Sequence, residues 1–165
     1  MDIIKHILVV SWLTPNCNKT IQCGISLSSK YQAELSVVHV MDTTWLTGWS
    51  IPMVSMEEEH KREMEKNKEY LHNIISIENK RDRVIKEFVR EGTPSEVILK
   101  IIKEENIDLL ILRGHEGSRL ERLLVGGSND ELIRAMPCSI FLVKQEPCLE
   151  DEDKRIDHEQ TEDDE

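Results

Sequence analysis

Short apolar runs alternate with longer segments of helical period along most of the chain. Four of the runs are rich in β-branched residues, which is typical of strands that are buried on both faces of a parallel sheet. These runs occupy residues 7–10, 35–40, 109–112 and 140–143. A fifth run, 84–89, is more polar, so we expect it to form a strand near an edge of the sheet.

Helical period appears between the predicted strands. The first predicted helix begins after Thr14 and has Pro15 in its first helical position, where a missing N–H costs nothing. Its buried stripe consists of Ile21, Ile25, Leu27 and Ser28. The stripe of the second predicted helix consists of Met56, His60, Met64, Leu71 and Ile75.

The last two helices are predicted from start signals. Thr93-Pro94-Ser95-Glu96 predicts a capping box, in which the Thr93 side chain accepts the N–H of Glu96 while the Glu96 side chain reaches back. The buried face of that helix is predicted to contain Val97, Ile98, Ile101 and Ile102. The final helix opens at Ser128, continues through Leu132, Ile133 and Met136, and ends at Pro137.

The predicted elements follow the order βαβαβαβαβ. Because crossovers between parallel strands are almost always right-handed, this order predicts an α/β fold with a doubly wound parallel five-stranded sheet. The expected strand order is 3-2-1-4-5, with helices on both faces. Ligands bind such sheets beyond the carboxyl ends of the strands, where the winding reverses. The candidate site therefore lies in loops 11–16 and 113–128.

The second of these loops contains a glycine motif with the spacing G-x2-G-x9-G-S, formed by Gly114, Gly117, Gly127 and Ser128. Glycine permits positive φ and lets a ligand approach the backbone without a Cβ in the way. The first N–H groups of the helix that opens at Ser128 have no intrahelical partners and can point at an anion. The motif therefore predicts a phosphate site, in which Ser128 can also cap the helix.

The segment from Arg113 to Lys144 resembles the signature of the universal stress proteins. The resemblance extends to residues 5–10 and 33–40, which are similar to the first two strands of that family, and covers the chain up to residue 145. It implies an adenine nucleotide alpha hydrolase-like fold. It also implies a stress-response regulatory protein that binds ATP or AMP, with or without Mg²⁺, and acts as a dimeric sensor.

The same resemblance implies roles for individual residues. Contacts to the ribose and phosphates are implied for Gly114, Gly117, Gly127 and Ser128, with Asn129 as a further backbone donor. Val40, at the end of the second predicted strand, would touch the adenine. Arg113 occupies a position that is commonly apolar in the family, where it either adds charge for a phosphate or lies in solvent.

Trp12 departs from the family pattern, because nucleotide-binding members usually have an acidic residue there that contacts the nucleoside. The Trp12 side chain either stacks on the adenine or fills the pocket and excludes nucleotide. In the second case the chain would be a nucleotide-free dimeric interaction protein of the same fold. A slow ATPase is a third hypothesis, although the sequence has no H-x-G-H motif. We assign no catalytic residue.

Most of the net charge of −11 is carried by the last twenty residues. Residues 146–165 contain eleven acids and two bases, so the predicted domain, residues 1–145, carries a net charge of only −2. We expect 146–165 to form an acidic, disordered tail, because its few apolar residues cannot build a core. The overall charge argues against nucleic acid as a partner, since phosphates would repel the chain.

Partners and location follow from the same sequence. The sequence shows no signal peptide and no apolar stretch long enough for a membrane span, which predicts a cytoplasmic protein without membrane insertion. In the family, the last strand pairs with its copy in a second subunit. The resemblance therefore implies a homodimer through the edge strand that runs from Ser139 to Val143, together with a protein partner of unknown identity.

Two further features could carry chemistry. His39 interrupts an otherwise apolar predicted strand, and we interpret it as a packed core histidine, because no nucleophile is adjacent to it. The four cysteines, Cys17, Cys23, Cys138 and Cys148, show no spacing typical of a metal site. We therefore expect neither a catalytic histidine nor a metal site formed by the cysteines.

Overall fold

The computed structural model describes residues 4–11, 13, 18–43, 53–80, 83–114 and 128–144, and for 53–57 and 128–130 it describes the backbone. Strands and helices alternate along these residues. The strands are β1 (His6–Val10), β2 (Glu34–Asp42), β3 (Ile85–Gly92), β4 (Leu109–Gly114) and β5 (Ser139–Lys144). The helices are α1 (Lys19–Tyr31), α2 (Met53–Glu78), α3 (Pro94–Glu104) and α4 (Ser128–Ala135).

The strands form one parallel sheet in the order β3-β2-β1-β4-β5. Its register is anchored at Ile7, which lies opposite Leu35 of β2 on one side and opposite Leu109 of β4 on the other. The winding reverses between β1 and β4. The predicted fold class and strand order are therefore confirmed, as is the position of the polar strand β3 at an edge.

Each face of the sheet carries a hydrophobic core. One core packs α1 and α2 against the sheet and includes Ile7, Val9, Ile21, Leu35, Val37, Leu71, Ile75 and Ile111. The other packs α3 and α4 against the opposite face and includes Leu8, Val10, Val38, Ile98, Ile102, Leu110, Leu112 and Leu132. Successive strand residues alternate between the two cores, which explains why the apolar runs are almost continuous.

The start of α1 differs from the prediction. The helix begins at Lys19, after Asn18, so Pro15 does not occupy its first helical position and the predicted start after Thr14 is wrong. The Asn18 side-chain amide donates to Glu78 Oε1 of α2 at 3.4 Å. The local proline signal therefore did not predict this boundary correctly.

The helix α3 begins where the sequence predicts, but the capping box does not form. Pro94 is the first helical residue, and the Thr93 side chain makes no capping hydrogen bond. The Thr93 carbonyl accepts the N–H of Val97 at 3.0 Å, which is the first bond of the helical ladder. The boundary is right because proline favours the first helical position on its own, while the predicted side-chain bonds are wrong.

Met136 does not continue the apolar stripe of the last helix, so that prediction is wrong. The helix α4 ends at Ala135, and Met136 has a φ of 41° and is 67% exposed. The following residue, Pro137, disfavours the helical conformation in the residue before it. The helix therefore ends at Ala135, one residue earlier than the sequence predicts.

The helix α2 spans 26 residues, more than the predicted stripe from Met56 to Ile75. Among its described side chains, the buried apolar ones, Leu71, Ile74 and Ile75, lie in its last third. Half of the other described side chains on α2 are charged and exposed. Of the helices in the described residues, none combines the length and the apolar character needed to cross a bilayer.

Candidate functional site

The carboxyl ends of β1 and β4 lie side by side where the winding of the sheet reverses. Ser11 continues the line of β1, since its N–H donates to the Val38 carbonyl of β2 at 2.8 Å. Gly114 ends β4 and lies opposite Lys144 of β5. Both candidate loops therefore leave the sheet from neighbouring strands, as expected for a ligand site in this class of fold.

Two of the predicted contact residues share one face of the sheet. Val40 packs against the core that contains Leu112 and Leu132. Gly114 follows Leu112 at the two-residue period of a strand, so its position belongs to the same face, which α4 also covers. Arg113 is half buried and belongs to the opposite face. Val40, Gly114 and α4 are thus on one side of the sheet, while Arg113 is directed away from them.

The glycines in the described residues differ in what the fold requires of them. A Cβ on Gly24 would lie 2.4 Å from Val9 Cγ2, so α1 approaches β1 too closely for a side chain. Gly92 has a φ of 129°, which other residues rarely adopt. At Gly114, φ lies outside that region, and the nearest atom to an added Cβ is the Val143 carbonyl oxygen, at 3.4 Å. Within the described residues, packing and backbone conformation therefore explain the first two glycines but not Gly114.

The other predicted site residues lie at the border of the described structure or beyond it. Ser128 and Asn129 are the first two residues of α4, so their N–H groups belong to the turn that has no intrahelical acceptors. Trp12, Gly117 and Gly127 lie outside the described residues, as does the predicted tail, 146–165.

Ser11 is a buried residue at this edge that the sequence interpretation missed. Its carbonyl accepts the Nδ1–H of His39 at 3.1 Å, and its Oγ accepts the N–H of Leu13 at 3.4 Å. Burial lowers the pKa of His39, while the bond to Ser11 acts in the opposite direction. The sequence did offer a signal, because Ser11 is a polar residue directly after a buried strand.

The chemistry available in the described part of the site is that of binding. Val40 supplies an apolar contact, and the first turn of α4 supplies backbone donors. Within the described residues, no group of three or more His, Cys, Asp or Glu side chains could hold a metal ion. Cys23 and Cys138 are free thiols, and burial raises the pKa of each.

Residues 4–144 match the sequence profile of the Universal stress protein family. This chain belongs to that family. The match includes every described strand and helix, and it confirms the resemblance seen around the glycine motif. A universal stress protein of Methanothermobacter thermautotrophicus is 25% identical over 129 residues, which make up 77% of this chain and 87% of that protein.

Solved structures of universal stress proteins share the fold of this universal stress protein. One was solved in complex with cAMP and superposes with a TM-score of 0.62 at 12% identity, covering 87% of this chain and 98% of that one. Another, from Archaeoglobus fulgidus, was solved in complex with dAMP and superposes with a TM-score of 0.56 at 14% identity. That match covers 86% of this chain and 99% of the other.

Proposed function

We propose that this universal stress protein is a non-enzymatic regulator that binds an adenine nucleotide, ATP or AMP, beyond the carboxyl ends of β1 and β4. Family membership supports the proposal. So do the two structural neighbours, because cAMP and dAMP are both adenine nucleotides. In this proposal the bound nucleotide changes the affinity of the protein for a partner protein.

The observation that carries the proposal is the glycine at position 114. An alanine there would keep an ordinary backbone conformation and would make an ordinary contact with the Val143 carbonyl. Since the described residues do not require a glycine at this point, the close approach of a ligand to the backbone supplies a physical reason for one. The position is also at the switch point, where ligands of doubly wound sheets bind.

The proposal gives each site residue a role. Val40 contacts the adenine, and Trp12 stacks on it. Gly114, Gly117 and Gly127 let the ribose and phosphates approach the backbone, while Ser128 and Asn129 donate N–H groups to the phosphates. Arg113, on the other face of β4, adds positive charge at the end of the strand. Any Mg²⁺ is assigned to the phosphates of ATP.

We also propose that the protein is a homodimer through β5. Phe141 and Leu142 are large apolar side chains on this edge strand, and they are 45% and 51% exposed. An apolar edge strand is a template for pairing with another chain. A second copy of β5 would cover both side chains and satisfy the open backbone groups of the edge.

Calorimetric titration of the full-length chain with AMP and ATP tests the nucleotide proposal. We expect the unaltered chain to bind and Gly114→Ala to bind about tenfold more weakly, since the added methyl group occupies the path of the ligand. Ser139→Ala is the matched control, because Ser139 is exposed at the opposite end of the same pair of strands and should not affect binding.

Two results would count against the proposal. Unchanged affinity of Gly114→Ala would remove Gly114 from the site. Absence of any heat of binding up to millimolar nucleotide, on protein freed of copurified ligand, would contradict the function itself and favour the nucleotide-free interaction protein.

A further inference from the structure

His39 is a half-buried polar ring inside an apolar strand, close to the carboxyl end of β2. By the alternation of the strand it belongs to the face of Val37 and Met41, which α1 and α2 cover. In register it lies opposite Val89 of β3, whose side chain is buried in the same core. A histidine at such a position needs a hydrogen-bond partner, because burying an unpaired polar group is costly.

The partner of His39 is the backbone of the first residue after β1. A carbonyl oxygen can only accept, so the contact of 3.1 Å requires that His39 Nδ1 carries the proton and donates to the Ser11 carbonyl. Burial lowers the pKa of His39, which favours the neutral ring. A neutral ring that donates through Nδ1 has its second nitrogen unprotonated, so one tautomer is selected.

The N–H, the carbonyl and the hydroxyl of Ser11 each take part in a hydrogen bond. Its N–H donates to the Val38 carbonyl at 2.8 Å, and its carbonyl accepts from the next residue of the same strand, His39. Its hydroxyl accepts the N–H of Leu13 at 3.4 Å. Leu13 has a φ of 49°, a conformation that is uncommon outside glycine and asparagine. The hydrogen bonds with β2 therefore fix Ser11, the first residue after β1.

We propose that His39 is a positioning residue for the nucleotide cleft, acting through the carbonyl of Ser11 on the turn that leaves β1. This inference rests on the proposed function, since the turn borders the switch-point site. The ring belongs to the face that α1 and α2 cover, whereas Val40, Gly114 and α4 are on the other face, so its proposed role is indirect. It sets the direction in which the chain leaves β1, and the residue between Ser11 and Leu13 is Trp12, the position assigned to the adenine.

A pair of substitutions separates positioning from packing. His39→Leu keeps a side chain of similar bulk but has no donor, whereas His39→Asn places an amide N–H near the position of Nδ1. We expect calorimetry to show AMP affinity reduced about tenfold in His39→Leu, because the chain after Ser11 is no longer held in place before the nucleotide binds. His39→Asn should recover most of the affinity even if its core packing, and hence its Tm, is poorer.

His6 provides the matched control. Its Nδ1 donates to the Asn106 carbonyl at 3.1 Å in the same way. His6, however, is at the amino end of β1, whereas the candidate site lies at the carboxyl ends of the strands. His6→Leu should therefore leave the affinity for AMP unchanged. Equal loss of affinity in His39→Asn and His39→Leu, or no loss in either, would overturn the positioning role. Failure of the unaltered protein to bind AMP would instead remove the proposed function, and this inference with it.

A second measurement uses the unaltered protein and does not depend on variants that fold. Nitrogen-15 NMR should show His39 as the Nδ1–H tautomer, and the Nδ1–H signal should shift on addition of AMP while that of His6 stays in place. The proposal would be overturned if the neutral His39 ring carries its proton on Nε2. It would also be overturned if the Nδ1–H signal does not shift when AMP binds.

Discussion

Gly24 is a residue at which α1 lies very close to β1. Gly24→Ala would place a methyl group 2.4 Å from Cγ2 of Val9, a fully buried, β-branched side chain with little freedom to move. Overpacking of this kind costs about 1–3 kcal/mol. The gain of about 1 kcal/mol from replacing a helical glycine is smaller. We therefore expect thermal denaturation to show a lower Tm for Gly24→Ala.

Gly114→Ala is the matched control for that measurement. Its added methyl group would lie 3.4 Å from the nearest atom, the Val143 carbonyl oxygen, and should leave the Tm close to that of the unaltered chain. An unchanged Tm for Gly24→Ala, or a large fall for Gly114→Ala, would contradict the distinction between a glycine required by packing and one available to a ligand.

At the scale of residues, the sequence proposes site residues where a local motif carries them. The glycine motif, in its strand and helix context and together with the similar first two strands, indicates the family, which the sequence profile confirms. The bond between His39 and Ser11 could not be predicted in this way. It joins residues 28 positions apart and depends on how β1 and β2 pair, which no local pattern contains.

At the level of elements, Asp108 connects the amino ends of three strands. Its Oδ2 accepts the N–H groups of Lys5 at 2.8 Å and His6 at 3.0 Å, and its carbonyl accepts the N–H of Ser139 at 3.2 Å. The bond from Lys5 is the main cause that lowers the pKa of Asp108, and the bond from His6 adds to it. Asp108 therefore stabilises the junction of β1, β4 and β5 in its ionised form.

Asp108→Ala should reduce the free energy of unfolding at pH 7 by about 1 kcal/mol, a modest value because the carboxylate is partly exposed. A carboxyl with a lowered folded-state pKa contributes stability above its unfolded value, about 3.9, and loses it as the pH falls further. Urea denaturation should therefore show the difference between the two proteins shrinking below that pH. Asp108→Asn, which retains one acceptor, should lose less. A constant difference from pH 7 to pH 3 would contradict this account.

The existence and order of the elements could be predicted, because strands buried on both faces leave nearly continuous apolar runs. Their ends were less predictable. The helix α1 begins at Lys19, four residues after the local proline signal at Pro15. The end of α4 depends on the backbone of Met136 before a proline, which outweighs its apolar side chain. Backbone sterics decide the second of these boundaries.

At the scale of the whole molecule, the proposed dimer gives β5 a second role as a subunit interface, in addition to its place in the sheet. Leu142→Lys would place a charge on the apolar edge, where Leu142 is 51% exposed. We expect size-exclusion chromatography with light scattering to show a dimer for the unaltered chain and a monomer for Leu142→Lys. Ile77→Lys is the control, because Ile77 is an exposed apolar residue on α2, away from β5. A monomeric unaltered chain, or a dimeric Leu142→Lys, would contradict the β5 interface.

The distribution of charge bears on the whole molecule as well. Residues 1–145 carry a net charge of only −2, while 146–165 carry −9. In the proposed function, an anionic nucleotide therefore approaches a nearly neutral domain, although the chain as a whole is strongly acidic.

The family membership and the sheet order could be predicted from the sequence, but the effect of Trp12 on the cleft could not, because its side chain is compatible with stacking or with exclusion.

The calorimetric titration of the unaltered full-length chain with AMP tests the central claim most directly. The account predicts saturable binding of one nucleotide per chain at the switch point between β1 and β4. No binding up to millimolar AMP or ATP, on protein shown to be free of copurified nucleotide, would contradict it.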